Sequence, residues 1–163
     1  MQARWLILMT LSLAFARTLP AQQASSHTLV FAVYRGEATA EDVLASMRKA
    51  QQSAGERIES YALVAKSPNG KIAVHERPAE PNPAIQVMLG SLSEPSGGMA
   101  AGANVIDRKV VDSLRASLTP GTSALIAVLD DRWVRDVQRE LRGADARAMM
   151  FTRIPEGASD DSR

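Results

Sequence analysis

Two stretches of this chain leave little freedom in what it can fold into. "TLVFAVY" (Thr28–Tyr34) is apolar at nearly every position, and "SALIAVLDD" (Ser123–Asp131) is another buried-type strand, apolar without a break from Ala124 to Leu129. A strand with one face in water alternates apolar and polar residues, so a strand without alternation needs cover on both faces. The segments around these two supply helices. In "GEATAEDVLASMRKAQQSAGE", Val43, Leu44, Met47 and Ala50 form a helical stripe. Thr39 and Asp42 there have the spacing of a capping box, and Gly55 is placed to stop the helix. In "IDRKVVDSLRASLTPG", Ile106, Val110, Leu114 and Leu118 recur every four residues behind Asp107, a good N-cap, and Pro120-Gly121 ends the run. "DRWVRDVQRELRG" puts Trp133, Val134, Val137 and Leu141 on one side and stops at Gly143.

"IESYALVAKSPNGKIAVHER" reads as a β-hairpin. Its Asn69-Gly70 pair predicts a type I′ turn, in which both central residues take positive φ. "ARAMMFTRIP" is a last strand. Between the hairpin and the Asp107 helix lie Pro78, Pro81 and Pro83, then "AIQVMLGSL", then "GSLSEPSGGMAAGANVI". We read 78–105 as one long connection, flexible around Pro95 to Gly98. The order is then β-α-β-β, connection, α-β-α-β. That is an α/β chain, an α+β sandwich with helices packed on one sheet. Its first six elements match a ferredoxin-like βαββαβ arrangement, with an extra αβ unit appended. Residues 28–155 make a single domain, and "EGASDDSR" (156–163) is a polar, disordered tail.

The N-terminus has the layout of a secretory signal peptide over residues 1–21. Arg4 precedes the apolar run Trp5–Ala16, and cleavage after Ala16 or after Ala21 both suit the small residues there. This predicts a periplasmic or secreted protein. The chain has no cysteine, which removes disulfides, thiolate nucleophiles and Cys-ligated metals. Loss of Arg4 and Arg17 with the leader would leave 17 basic residues of the original 19 against 18 acidic ones, a net charge of −1. That balance does not suit a nucleic-acid binder.

"YALVAKSPNGKIAVHE" resembles the hairpin of an uncharacterised bacterial family, domain-of-unknown-function family 1269. "IDRKVVDSLRASLTPGTSALIAVLDD" resembles that family's second half: an acidic cap, an apolar helix, "L-x-P-G-x-S-A-L" and a buried strand. The resemblance covers about Thr28 to Pro155, and it implies a fold rather than a reaction. Members often carry a glycine-zipper membrane hairpin in the middle. Here Ala84 to Ile106 contains Gln86, Ser91, Ser93, Glu94, Pro95, Ser96 and Asn104. Its apolar run, Met99–Ala103, falls far short of the roughly eighteen residues of a membrane helix. Gly98 and Gly102 form a lone GxxxG, without the apolar segment that gives this motif meaning.

Chemistry is sparse. His27 and His75 are the only histidines, and Glu76 beside His75 would point to the opposite face of a strand, so no metal site forms there. Asp130-Asp131 ends a strand and opens a helix. Carboxylates at that position can serve an active site, but helix capping accounts for them with no further partner. There is no G-x-S-x-G, P-loop or G-x-G-x-x-G. No catalytic residue, cofactor or metal is expected. The one patterned surface is Arg132, Arg135, Arg139 and Arg142, which fall within an arc of about 80° on a helix at 3.6 residues per turn. Such a stripe could meet anionic headgroups or an acidic protein, although an ordinary solvated helix face also carries charges in rows.

These observations point to an exported, non-enzymatic envelope protein acting through an unknown protein partner or an anionic surface. It would not span the membrane after cleavage, and it would form a homodimer by fold analogy alone. The alternative is a small-molecule or regulatory binding domain with its ligand between the sheet and the 78–104 connection. A hydrolase built on Asp130 or Asp131 comes third.

Overall fold

A computed structural model describes residues 26–54, 58–76, 82–93 and 106–154. In chain order the elements are β1 (His27–Arg35), α1 (Thr39–Ala54), β2 (Ile58–Lys66), β3 (Ile72–Glu76), α2 (Pro83–Ser93), α3 (Arg108–Ser117), β4 (Thr122–Asp130), α4 (Val134–Gly143) and β5 (Ala148–Ile154). A single 3-10 turn, Asp131–Trp133, joins β4 to α4. The signal-peptide segment, the Pro95–Gly98 stretch and the 156–163 tail lie outside the described residues.

The α/β expectation holds. The five strands form one antiparallel sheet in the order β3-β2-β4-β1-β5. The two uninterrupted apolar stretches are neighbours, in register from His27 opposite Asp130 to Arg35 opposite Thr122. Their side chains alternate between two cores. Val30, Ala32 and Tyr34 of β1, with Leu125, Ala127 and Leu129 of β4, pack under α1 and α4. Leu29, Phe31 and Val33, with Ala124, Ile126 and Val128, pack under α2 and α3. The molecule is thus three layers, helices on both faces of a sheet.

The order of the strands corrects the reading of the first six elements as βαββαβ. That arrangement would place β3 between β1 and β2, but β3 stays at the edge and, among the described residues, pairs with β2 alone. β4 takes the inner place. The reason is burial: Ala73, Val74 and His75 of β3 are exposed, whereas every residue of β4 except Asp130 is buried. A strand apolar on both faces gains more from the middle of the sheet than a short half-polar one.

The largest departure from the sequence reading is α2. Residues 83–93 are a helix, not part of an irregular connection, and Ala84, Ile85, Val87, Met88, Leu89 and Leu92 are all buried. Asn82 caps it, its Oδ1 accepting from the Ala84 N–H at 2.9 Å, and Pro83 takes the first helical position. Pro is suited to that position because the N–H it lacks would have no partner there. The helix lies over β4 and β2 and against α3.

Three local expectations also change. The hairpin turn is not type I′, because among the described residues Asp145 is the only non-glycine with positive φ. Pro68 holds φ near −65° and imposes an ordinary turn, closed by Gly70 N–H to Ser67 O at 2.8 Å. Gly70 follows at φ 83°, so the pair still makes a hairpin by a different route. The Thr39–Asp42 capping box is not made either. Thr39 donates to the Arg35 carbonyl, and the α1 amide of Ala40 is met by the Ser123 hydroxyl of β4 at 3.1 Å. After α4, Asp145 rather than Gly143 takes the left-handed position, at φ 58°. Asp107 does cap α3, accepting from the Lys109 N–H at 2.8 Å.

If α2 is part of the core, Ile85→Ala destabilises the protein by about 3 kcal/mol in urea unfolding, as buried Ile truncations do. A loss under about 0.5 kcal/mol, the size of a surface change, would return residues 83–93 to an uncoupled connection.

Candidate functional site

At one end of the sheet, β1 begins while β4 and β5 end, and the polar residues that the sequence singled out collect there. Asp130 behaves as the capping reading expects: its Oδ1 accepts from the Arg132 N–H at 2.9 Å. Asp131 does something else. The Thr28 hydroxyl donates to its Oδ1 at 2.5 Å, the Ser26 hydroxyl donates to Oδ2 at 2.9 Å, and Arg153 Nε lies 3.4 Å from Oδ2. Its backbone N–H donates to the Ser26 carbonyl at 3.1 Å. One half-buried carboxylate thereby ties the start of β1 and the end of β5 to the turn after β4. The Thr28 hydroxyl has the largest effect on its carboxyl, burial opposes it, and the Ser26 hydroxyl and the Arg153 guanidinium add to it, so that the carboxyl is held below the usual range.

The two histidines are not brought together. His75 is exposed on the edge strand β3, and His27 hydrogen-bonds through Nε2 to Glu59 Oε1 at 2.8 Å. Ser26 therefore meets a carboxylate and His27 meets a different one, so no imidazole stands ready to take a proton from a hydroxyl. Among the described residues no group of three or more His, Asp or Glu side chains is arranged to hold a metal. No described helix is long and apolar enough to cross a membrane.

All four arginines of the stripe are exposed. Arg135, Arg139 and Arg142 run along α4 opposite its buried Val137 and Leu141. Arg132 belongs to the 3-10 turn before the helix and is turned back, its Nε 3.1 Å from Asp130 Oδ2 and its guanidinium over the Trp133 ring. Arg139 pairs with Asp136 at 3.3 Å. Arg135 and Arg142 have no ion pair among the described residues. Val134 and Arg135 of the first turn of α4 line a cleft of about 340 Å³ together with Phe151, Thr152 and Arg153 of β5, Thr28 and Asp131. A second depression of about 520 Å³ lies between α1 and α4, lined by Val43, Met47 and Ala144 with Asp42 and Glu140.

The sequence reading had the ridge and the aspartates but not Ser26, Thr28, Ser123 or the cleft. Nothing in local spacing links residue 28 to 131, since the contact exists only because β1 and β4 pair in register. No family model matches the chain, and no curated protein or solved structure is significantly similar to it.

One further buried polar group stands out. The Tyr34 hydroxyl lies in the core between β1 and the α1/α4 layer with no hydrogen-bond partner among the described residues, and burial pushes its ionisation well above the usual range for a phenol. Two outcomes follow from these groups. Asp131→Asn costs about 1–2 kcal/mol at pH 7, the lower range for hydrogen bonds to a charged group at a half-exposed site. Because the folded state lowers this carboxyl, its contribution is present above the unfolded value near 3.9 and disappears as pH falls through the folded one, so the two proteins converge in acid. Equal stability at pH 7 would show that Asp131 pins nothing. Tyr34→Phe removes an unpartnered hydroxyl and leaves stability unchanged or higher by about 1 kcal/mol. The raised ionisation means that wild type loses stability as pH rises above about 10, where the unfolded phenol ionises and the folded one does not; the Phe variant lacks this loss. A Phe variant less stable by 1 kcal/mol or more would mean that the hydroxyl has a partner.

Proposed function

We propose that this chain is an exported, non-enzymatic domain of the cell envelope that acts through contacts, with the α4 arginine ridge as its contact face for an anionic partner. The ridge is the observation that carries the reading. Arg135, Arg139 and Arg142 stand exposed on a helix whose other side is buried, and among the described residues Arg135 and Arg142 are spent on no ion pair. At the sheet end, by contrast, Asp131 is engaged with the Ser26 and Thr28 hydroxyls and Asp130 with the Arg132 N–H, which supports a fastening role for both. Export is supported by the leader-like order of Arg4, Trp5–Ala16 and the small residues after it.

The frame fits a scaffold of this kind. Without β3, α2 and α3, the chain runs β1-α1-β2-β4-α4-β5 with the sheet order β2-β4-β1-β5 and both remaining helices on one face. We read this as a ferredoxin-like frame into which the hairpin strand and two helices are inserted. The resemblance to family 1269 adds a fold expectation and no chemistry. The ligand-binding alternative draws little support, because the face of the sheet under 83–93 is filled by the side chains of α2 itself.

Co-sedimentation with anionic vesicles at low salt tests the ridge. Wild type is expected to bind anionic vesicles and not neutral ones, with Arg139→Glu/Arg142→Glu lowering the bound fraction at least fivefold at unchanged melting temperature. Equal binding by the two proteins would remove the ridge as a contact face.

A further inference from the structure

We infer that the open edge of β5 takes up an extended acidic segment of a partner protein as a sixth strand. The inference rests on the contact-domain reading for the sign of the partner's charge, and on β5 itself for the mode. Among the described residues β5 pairs with β1 alone, so one side of its backbone offers unpaired N–H and C=O groups. Exposed edges of this kind are usually blunted by charge, proline, a bulge or shortness. β3, at the other edge, follows that rule: it has five residues, a register break against β2, and exposed Ala73, Val74 and His75. β5 has seven residues, "AMMFTRI", whose one charge is Arg153, and neither bulge nor proline.

The surroundings of the β5 edge select the occupant. Met149 and Phe151 project to the α1/α4 side, and Ala148 and Met150 to the other. On the α4 side the strand lies below Arg135, with exposed Arg147 just before it and exposed Arg153 near its end. Asp131, beside the end of β5, is already held by Ser26, Thr28 and Arg153, and Asp136 of α4 pairs with Arg139. A strand added here would lay alternate side chains on the side of Arg135, Arg147 and Arg153, where carboxylates are favoured, and the others beside Ala148 and Met150, where apolar groups are favoured. Main-chain hydrogen bonds supply affinity in this mode, and the alternate pockets supply choice. The cleft between Val134 and Phe151 gives one partner side chain an apolar wall close to a guanidinium.

The probe is an end-capped heptapeptide of alternating glutamate and valine, added to the protein at low salt and followed by calorimetry and residue-resolved hydrogen exchange. The outward-facing amides of Ala148–Ile154 are expected to exchange at least tenfold more slowly at saturating peptide. Tripolyphosphate, which offers charge without a backbone, is expected to leave them unchanged. Arg135→Glu, an exposed change, should weaken the peptide at least fivefold. If the peptide binds while the β5 amides exchange at their free rate, side-chain charge alone holds it and strand addition is wrong. If sedimentation of the free protein shows a dimer with those amides already protected, the edge belongs to a second copy and the inference falls. If the peptide fails to bind while Arg139→Glu/Arg142→Glu still releases the protein from anionic vesicles, strand addition falls and the ridge reading stands.

Discussion

Val30, Ala32 and Tyr34 look toward α1 and α4, while Leu29, Phe31 and Val33 look toward α2 and α3, and β4 repeats the alternation beside them. Fully burying one such side chain contributes about 1.5–3 kcal/mol. A β1–β4 pair with one face in water would forfeit that for half its residues, so helices must cover both sides. The sheet order follows from the same demand. β4, the strand with no polar face, lies between β1 and β2, and the half-polar β3 goes to the rim. The two-helix layer of α2 and α3 exists to close the second face.

Polar groups at the two ends of this slab are used to fasten it. At one end Ser123, itself buried, donates to the Gly36 carbonyl at 2.7 Å and receives the Ala40 N–H, so β4 caps the helix that follows β1. At the other end Asp131 gathers Ser26, Thr28 and Arg153. Helix amides and half-buried carboxylates need partners near at hand, and the paired strands bring them into reach. Among the described residues Arg135 and Arg142 of α4 take part in no ion pair, and Arg135 lies beside β5. The functional proposal rests on those two arginines.

Much of the frame was readable in the chain itself. The apolar runs marked β1 and β4, the four-residue spacing marked α3, and Asp107 marked its start. α2 was missed because its apolar residues are continuous rather than periodic, and because the neighbouring prolines and glycines suggested a loop. The Asn82-Pro83 pair was the available signal: a capping side chain followed by the residue best suited to a first helical turn. The hairpin was right and its turn wrong, since Pro68 constrains the backbone one residue before the Asn-Gly pair can act. Thr39 has the type and spacing of a capping box, but its hydroxyl has the Arg35 carbonyl within reach and Ser123 supplies the cap instead.

The amino-acid sequence by itself determined what must be buried, and therefore that a sheet covered by helices would form. It also determined that no thiol chemistry is available and that one helix would present a row of arginines, because periodicity and residue type are local properties. Tertiary structure decided which strand lies in the middle, that residues 83–93 close the second face, and that Asp131 ties β1 and β5 to the turn after β4. Those outcomes depend on pairings between residues about a hundred positions apart, such as Thr28 with Asp131. Such contacts arise only once the burial of two strands has set their register.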